Sequence, residues 1–221
     1  TVTDASTGLP KASITVRLLS ASGSTLASAA SAANGTYRLR GLPTGSYHLS
    51  TIHSIGYINE VYSDVQCVLC TAGMGASIPV VAGSLVGGFD FALTPGGRIS
   101  GTVTDAVTGL AISGVSLNLY TSTGNSAVVS FAANSSGVFT TPAGLTSGTY
   151  YLSTNNSAGY VDEIYDNRPC ISCLPGEGTP IPVTVGLTTA GIDFHLSPGG
   201  RISGTVTDPV TGLPLSGASV S

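Results

Sequence analysis

The chain contains the stretch Pro198-Gly199-Gly200-Arg201-Ile202-Ser203-Gly204-Thr205-Val206-Thr207-Asp208. Nearly the same residues occur at Pro95 to Asp105, and the last four of them open the chain at Thr1 to Asp4. The three copies of this Thr-Val-Thr-Asp motif begin at residues 1, 102 and 205, so they lie 101 and then 103 residues apart. This period is close to the length of one β-sandwich domain of immunoglobulin size. The sequence therefore predicts an array of repeats.

The repeat divides the chain into two modules and the opening of a third. We expect residues 1–97 to form a first β-sandwich with an incomplete first strand, and residues 98–198 to form a second. Residues 199–221 would be the opening strands of a third repeat or a donor segment for a neighbouring subunit. Such a chain is expected to be a fragment of a longer array, or a subunit whose ends are completed by its neighbours.

The composition favours strands and turns and argues against several classes of function. Of the 221 residues, 42% are hydrophobic and 8% are charged, with 30 Gly and no Trp, which is enough apolar material for a core in each module. A net charge of −4 and a pI near 5.1 leave no basic surface for phosphates, so nucleic acid is not expected as a partner. The longest uncharged apolar stretch, Ala76 to Phe89, is too short and too interrupted to span a bilayer.

The second module shows short alternating runs separated by turn signals, as in an antiparallel sandwich. In Arg98 to Asp105, for example, Ile99, Gly101 and Val103 fall on one face of the predicted strand. We find no amphipathic helical pattern. The predicted fold class is all-β, with tandem antiparallel Ig-like β-sandwich modules of about seven strands each. The further runs are residues 115–119, 128–132, 138–141, 150–154, 160–165, 181–185 and 192–196.

A family resemblance is visible in the first module, where residues 34–49 read Asn-Gly-Thr-Tyr-Arg-Leu-Arg-Gly-Leu-Pro-Thr-Gly-Ser-Tyr-His-Leu. This resembles the G-x-Y-x-L-x-G-L-P-x-G-x-Y-x-L signature of carboxypeptidase regulatory-like domains. These are prealbumin-like sandwiches that are similar to the B-type repeats of Gram-positive surface adhesins. Module two departs from the signature, with Phe139 for the first Tyr and Gly144-Leu145-Thr146-Ser147-Gly148 for G-L-P-x-G. The resemblance implies a spacer, stalk or binding module of secreted and surface proteins.

Four cysteines form two equivalent pairs, Cys67 with Cys70 and Cys170 with Cys173. One pair per module favours an oxidising compartment and a short local disulfide. Inter-chain pairing or free thiols is a second interpretation, and metal or redox chemistry is a third. A structural zinc would need four ligands, and no His or second Cys pair recurs beside either pair. A thioredoxin-type Cys opens a helix, whereas these lie in loops rich in Pro and Gly.

Several polar residues recur once per module, which favours a shared structural role over a catalytic one. The alternation of Phe-Asp-Phe and Ile-Asp-Phe directs Asp90 and Asp193 outward. Carbohydrate sites present aromatic rings, and because the chain has no Trp the recurring candidates are Tyr57, Tyr62, Tyr160 and Tyr165. Of these, Tyr62 and Tyr165 are the candidate ligand contacts. The recurring pairs are Glu60 with Glu163, Tyr62 with Tyr165, and Asp90 with Asp193.

Catalysis is not expected. His48, His53 and His195 do not occupy equivalent positions, and none has the Glu three residues later that a zinc carboxypeptidase would need. The sequence also has no nucleophile elbow, phosphate loop or calcium loop. We therefore predict no catalytic residue, no cofactor and no metal. Asn34, Asn134 and Asn155 begin formal N-glycosylation triplets and are candidate sites of modification.

These features favour a structural or adhesive extracellular protein that forms a stalk or filament on a bacterial cell surface. The joints at residues 95–97 and 198–200 are short, which favours an extended rod. The expected partners are neighbouring copies of the chain, joined head to tail by strand exchange through residues 199–221. Surface glycans are a second candidate partner. The alternative function is a carbohydrate-binding accessory array of a secreted hydrolase.

Overall fold

The computed structural model describes residues 1–53, 55–122, 126–142, 144–171 and 173–219. Within these ranges the chain is nearly all β, which confirms the predicted fold class. The helical segments among them are two single 3-10 turns, Ala72–Met74 and Pro175–Glu177. In this part of the chain no helix is both long enough and apolar enough to cross a membrane.

The first eight strands form two layers, which we call module one. In the larger layer the strand order is β3-β2-β4-β5-β6, β7 also pairs with β4, and all pairs are antiparallel. In the smaller layer β1 pairs with β8 in parallel. The strands are β1 (Val2–Asp4), β2 (Thr15–Leu19), β3 (Thr25–Ala30), β4 (Gly45–Ile52), β5 (Asn59–Val61), β6 (Val65–Cys67), β7 (Ile78–Val80) and β8 (Phe91–Leu93).

The next ten strands form module two with the same arrangement. The larger layer has the order β11-β10-β13-β14-β15, with β16 also paired to β13. In the smaller layer β9 pairs with β12 on one side and with β17 and β18 on the other. The strands are β9 (Arg98–Asp105), β10 (Ser116–Thr121), β11 (Val129–Ala132), β12 (Val138–Thr140), β13 (Gly148–Asn155), β14 (Glu163–Ile164), β15 (Arg168–Pro169), β16 (Ile181–Val183), β17 (Thr188–Thr189) and β18 (Phe194–Leu196).

The strands are more numerous than the seven or so expected, and not every pair is antiparallel. Short segments such as β15 and β17, two residues each, carry too little alternation to be recognised in a sequence. The parallel pairs join the first strand of each module to its closing strand, β1 to β8 and β9 to β18. Parallel pairing needs a long crossover, and here the whole larger layer is that crossover.

Each module has its own apolar core between the two layers. Phe91 of β8 and Phe194 of β18 lie at matching places in the two cores and are 1% and 0% exposed. Ile99 and Val103, which alternation placed on one face of β9, are both fully buried. Full burial of one such side chain contributes roughly 1.5–3 kcal/mol. The cores therefore account for the stability of sandwiches that have few ion pairs.

The joint between the modules is a close contact of backbones. The Gly96 N–H donates to the Gly56 carbonyl at 2.9 Å, and the Gly144 N–H donates to the Tyr57 carbonyl at 2.8 Å. Gly97 and Leu145 exchange two backbone hydrogen bonds of 2.8 Å each. A Cβ at Gly96 would lie 2.4 Å from the Gly144 Cα, so only glycine permits this approach.

The chain leaves module two in the way it leaves module one. The Gly199 N–H donates to the Gly159 carbonyl at 2.8 Å, as Gly96 does to Gly56. Tyr160 forms an isolated β-bridge with Pro198, as Tyr57 does with Pro95. Beyond this joint, residues 200–219 form only a local turn, in which the Leu215 N–H donates to the Val206 carbonyl at 2.9 Å. Val220 and Ser221 of the predicted third segment lie outside the described residues.

Replacement of Gly96 by Ala should loosen the joint without unfolding either module. The new Cβ meets backbone rather than a movable side chain, so the two modules must separate. We expect small-angle X-ray scattering to show a broader distribution of inter-module distances. Gly73→Ala is the matched control, because a Cβ at Gly73 has nothing within 4 Å. A scattering curve of Gly96→Ala that superimposes on that of the control would contradict the importance of this contact.

Candidate functional site

Both predicted cysteine pairs are local disulfides. Cys67 is bonded to Cys70 and Cys170 to Cys173, with Cα–Cα distances of 5.2 and 5.1 Å. The prediction of one short disulfide per module is confirmed. Cys67 ends β6 and Cys170 directly follows β15, and each bridge closes a loop just before a 3-10 turn. Disulfides of this kind persist in oxidising compartments, which is consistent with an extracellular location.

The two candidate ligand-contact tyrosines pack on the cores. The Tyr62 ring meets Phe89 and Phe91 edge-on, with centroid distances of 5.2 and 6.2 Å. The Tyr165 ring meets Phe194 in the same way at 6.0 Å. Both tyrosines are partly buried, so their rings are less available for stacking on a sugar than fully exposed rings would be. Carbohydrate contact through them stays a prediction.

The three asparagines of the glycosylation triplets are all exposed. Asn34 and Asn134 lie in equivalent turns, where the Oδ1 of each accepts hydrogen bonds from residues that follow it. Asn155 ends β13. Exposure is required for modification but does not establish it, so glycosylation stays a prediction.

The histidines do not converge on a common site. His48 lies in β4 and His195 in β18, where its Nδ1 is 2.7 Å from the Thr104 hydroxyl. His53 is largely buried, and this burial lowers its pKa to about 4. Among the described residues, no group of three or more His, Cys, Asp or Glu side chains is placed to hold a metal ion.

Tyr57 and Tyr160, which recur at equivalent positions, each join a distant loop to the first strand of their module, a contact that was not predicted from the sequence. The Tyr57 hydroxyl donates to Asp4 Oδ2 at 2.6 Å, and the Tyr160 hydroxyl donates to Asp105 Oδ2 at 2.8 Å. We call this contact the Asp–Tyr latch. The other carboxylate oxygen of each Asp accepts backbone N–H groups of the following Asp-x-x-Thr-Gly turn. This Asp-x-x-Thr-Gly motif recurs in both modules, and its recurrence is the sequence feature from which a structural role of the Asp could have been predicted.

The latch requires an ionised carboxylate. Hydrogen bonds from Ser6, Tyr57 and then Lys11 hold the pKa of Asp4 well below its usual range. For Asp105, backbone hydrogen bonds from Thr108, then the Tyr160 hydroxyl, lower the pKa. In module one Lys11 joins the latch, with its Nζ 3.2 Å from Asp4 Oδ2 and 5.0 Å from the Tyr57 ring centroid. The latch therefore contributes stability at neutral pH and loses it as the pH falls and the Asp is protonated.

Two glutamates lie in surroundings that favour the neutral carboxyl group, in contrast to the ionised Asp of the latch. Glu60 in β5 and Glu163 in β14 are 2% and 5% exposed, and the Oε2 of each has no hydrogen-bond partner among the described residues. Burial, with a smaller contribution from the Asp64 charge, raises the pKa of Glu60 to about 7. Burial also raises the pKa of Glu163, while the nearby His195 acts against it. Each module therefore buries one carboxyl group that favours its neutral form.

Module one also has a groove beside Thr1, with a volume of about 320 Å³. We call it the module-one groove. Two of the apolar side chains that line it are exposed to solvent: Leu85 is 83% exposed and Val86 is 40% exposed. Tyr37 and Leu39 also line it, in a segment that is not part of a strand. Their counterparts in module two belong to or directly follow β12, which pairs with β9.

In module two the equivalent space is filled by the first half of β9. Phe139 pairs with Gly101 and Thr140 with Ser100 on one side of that strand, and Thr188 pairs with Arg98 on the other. Ile99 points into the core and is fully buried. The groove of module one therefore lies at the place that residues 98–101 fill in module two.

Comparison with known families supports the resemblance seen in the sequence. Residues 1–69 match the family model of the carboxypeptidase regulatory-like domain. The match covers β1 to β6 of module one, including the Asn34 to Leu49 signature. It confirms the family resemblance that was predicted from this signature. The latch residues Asp4 and Tyr57 also lie within the matched residues. No curated protein sequence matches the chain.

Among solved structures, the chain is similar to several bacterial proteins, among them the three that follow. The Bacillus anthracis TIE protein is 15% identical over 89% of this chain, with a TM-score of 0.36. A streptococcal ancillary pilin is 17% identical over 90% of this chain, with a TM-score of 0.35. The shaft pilin SpaA of Lactobacillus rhamnosus GG is 11% identical over 90% of this chain and 92% of the pilin, with a TM-score of 0.37. The chain spans 33% of the TIE protein and 61% of the ancillary pilin.

Replacement of Tyr160 by Phe should destabilise module two and leave module one unchanged. The change removes only the hydroxyl that donates to Asp105. We expect the thermal unfolding midpoint of module two to fall by about 4–8 °C at neutral pH. Because the latch needs an ionised Asp, this difference should shrink at low pH. Tyr57→Phe is the matched variant and should affect module one instead. Equal midpoints of native and variant proteins at neutral pH would contradict a stabilising role for the latch.

Replacement of Glu60 by Gln should make the protein more stable at neutral pH. The folded pKa near 7 lies above the ordinary value of 4.5, so the folded form binds the proton more tightly than the unfolded form. Stability is therefore lost as the pH rises between these values, and Gln removes that loss. We expect a gain of up to about 3 kcal/mol above pH 7 and none below pH 4.5, measured by urea unfolding across this range.

The control for this experiment is Glu177→Gln, because the Glu177 side chain is 49% exposed. In this variant the free energy of unfolding should differ between acid and neutral pH by the same amount as in the native protein. If Glu60→Gln is less stable than the native protein at pH 8, then Glu60 is ionised and paired in the fold, and the assignment of a neutral carboxyl is wrong.

Proposed function

We propose that this protein is a structural repeat protein of a bacterial cell surface, which forms a stalk or filament from β-sandwich modules joined end to end. The observation that carries the proposal is the repeated joint. Gly96 bonds to Gly56 where the chain leaves module one, and Gly199 bonds to Gly159 where it leaves module two. A joint that recurs in the same form makes each module an equivalent unit of a rod.

The chemistry of the chain supports a mechanical role. Each module combines an apolar core, a disulfide and an Asp–Tyr latch, and these stabilise it independently of its neighbour. Glu60 and Glu163, which recur at equivalent positions, are both buried within the fold of their own module. The regulatory-like domain match and the oxidised cysteines favour a secreted location.

The proposal includes assembly of neighbouring copies head to tail. Residues 201–219 are almost wholly exposed and contact little besides their own turn. Their residues repeat the first strand of module two, which in that module is the central strand of the smaller layer. An extended segment of this kind is suited to addition to the sheet of a neighbour.

Negative-stain electron microscopy tests the assembly. The chain should form rods longer than two modules, and a version that ends at Pro198 should form only two-module particles, because it lacks the added segment. Two-module particles in both samples would show that the chain does not assemble by itself. The surface location is tested separately, with an antibody against the protein on intact cells of the source bacterium. Labelling only after permeabilisation would exclude it.

A further inference from the structure

The disulfide loop of module one, residues 67–70, lies at the joint and reaches module two. Val68, which lies between the two cysteines, is partly buried. Its side chain packs against the hydrophobic cluster that forms the core of module two. Val68 therefore belongs to module one by its strand and loop but contacts the core of the neighbouring module. The disulfide loop is part of the interface between the two modules.

Hydrogen bonds hold the strands next to this loop at the same joint. The Gln66 side chain in β6 donates from Nε2 to the Thr94 hydroxyl at 2.8 Å. The Ile58 N–H, just before β5, donates to the Thr94 carbonyl at 2.9 Å, and Ile58 forms a β-bridge with Gly144 of module two. Because β5 and β6 are antiparallel, the end of β6 lies beside the start of β5. Cys67, the last residue of β6, is therefore held close to module two.

The short span of the Cys67–Cys70 bridge limits what it can stabilise. A disulfide stabilises a fold mainly by restricting the unfolded chain, and this effect becomes smaller as the closed loop becomes shorter. Here the two cysteines are separated by three positions in the chain. The bridge therefore acts chiefly on the loop itself, where it restricts the backbone of Val68 and Leu69. A restricted loop loses less conformational entropy when Val68 packs against module two than an open loop would lose.

The two sulfurs of this bridge differ in their access to solvent. Cys67 is 5% exposed, whereas Cys70 is partly exposed and its neighbour Leu69 is 57% exposed. A thiolate from solution therefore reaches Cys70 first and forms a mixed disulfide with it, while the Cys67 sulfur leaves and takes up a proton. With a small dithiol, the second thiol then displaces the Cys70 sulfur, which is also protonated. The dithiol is oxidised to its cyclic disulfide by two electrons, and both cysteines end as thiols.

We propose that the Cys67–Cys70 bridge is a redox-sensitive lock on the joint between the modules. The closed bridge holds Val68 against module two, and its reduction by a small dithiol releases Val68 and lets the modules change their relative orientation. Module one stays folded, because neither cysteine belongs to its core cluster. The lock acts within one chain, so it goes beyond the proposed function and does not require that copies assemble.

Residual dipolar couplings of backbone amides test the lock in the full chain. In the native protein the couplings of both modules should fit one common alignment tensor, because the joint is held. The variant Cys67→Ser/Cys70→Ser should lose this common tensor, while each module by itself still fits a tensor of its own. The matched control is Cys170→Ser/Cys173→Ser, which removes the equivalent bridge from a loop whose Ile171 is 87% exposed. It should keep the common tensor.

Two further variants leave both bridges in place and test the contact itself. Val68→Asp should also lose the common tensor, because a carboxylate is unfavourable against an apolar core. Leu69→Asp is the control from the same loop, since Leu69 is 57% exposed, and it should keep the tensor.

The redox step is tested in the Cys170→Ser/Cys173→Ser chain, which retains only the first bridge. Addition of a small dithiol should remove the common tensor, and reoxidation should restore it.

The outcomes are judged by the amide spectra as well as by the couplings. Loss of the common tensor in Cys67→Ser/Cys70→Ser and in Val68→Asp, with native spectra of both modules, supports the lock. If Cys67→Ser/Cys70→Ser keeps the common tensor, the bridge does not hold the joint and the proposal is wrong, whatever Val68→Asp shows. If that variant loses the native spectrum of module one, the bridge is a requirement of the fold and the proposal is also wrong. The stalk or filament is tested separately, by electron microscopy.

Discussion

The smaller layer of each sandwich depends on one strand. In module two β9 lies at the centre of that layer, with β12 on one side and β17 and β18 on the other, and its Ile99 and Val103 are fully buried. Because β9 pairs with the closing strand in parallel, it also connects the two ends of the module. In module one the equivalent strand is β1, which pairs with the closing strand β8 in the same parallel way.

The same stretch of sequence also makes the joint. Gly96 and Gly97 precede β9, and their lack of side chains lets the backbone of module one approach Gly144. Arg98 follows at once and contacts Gly56, and Ile99 then enters the second core. The consequence is that one short segment both ends a module and begins the next. A joint built in this way restricts bending, since any change of angle would break backbone hydrogen bonds on both sides.

Carboxyl groups serve two opposite purposes in these sandwiches. Asp4 and Asp105 accept several hydrogen bonds each, which favours the ionised form and lets them hold a loop to the first strand. Glu60 and Glu163 are buried without a partner for one oxygen, which favours the neutral form. The environment rather than the residue type decides the difference. Neither arrangement resembles a catalytic pair, because the members of each pair lie in different modules.

The sequence alone determined the features that depend on local pattern. Alternation was sufficient to place Ile99 and Val103 inward, and the three-residue spacing was sufficient to predict the Cys67–Cys70 bridge, because each involves residues close in the chain. Only the tertiary structure decided which distant groups meet. Asp4 and Tyr57 are 53 residues apart, and the groove is lined by residues from six separate parts of module one. The pairing of the layers brings these groups together, and no periodicity in the sequence records it.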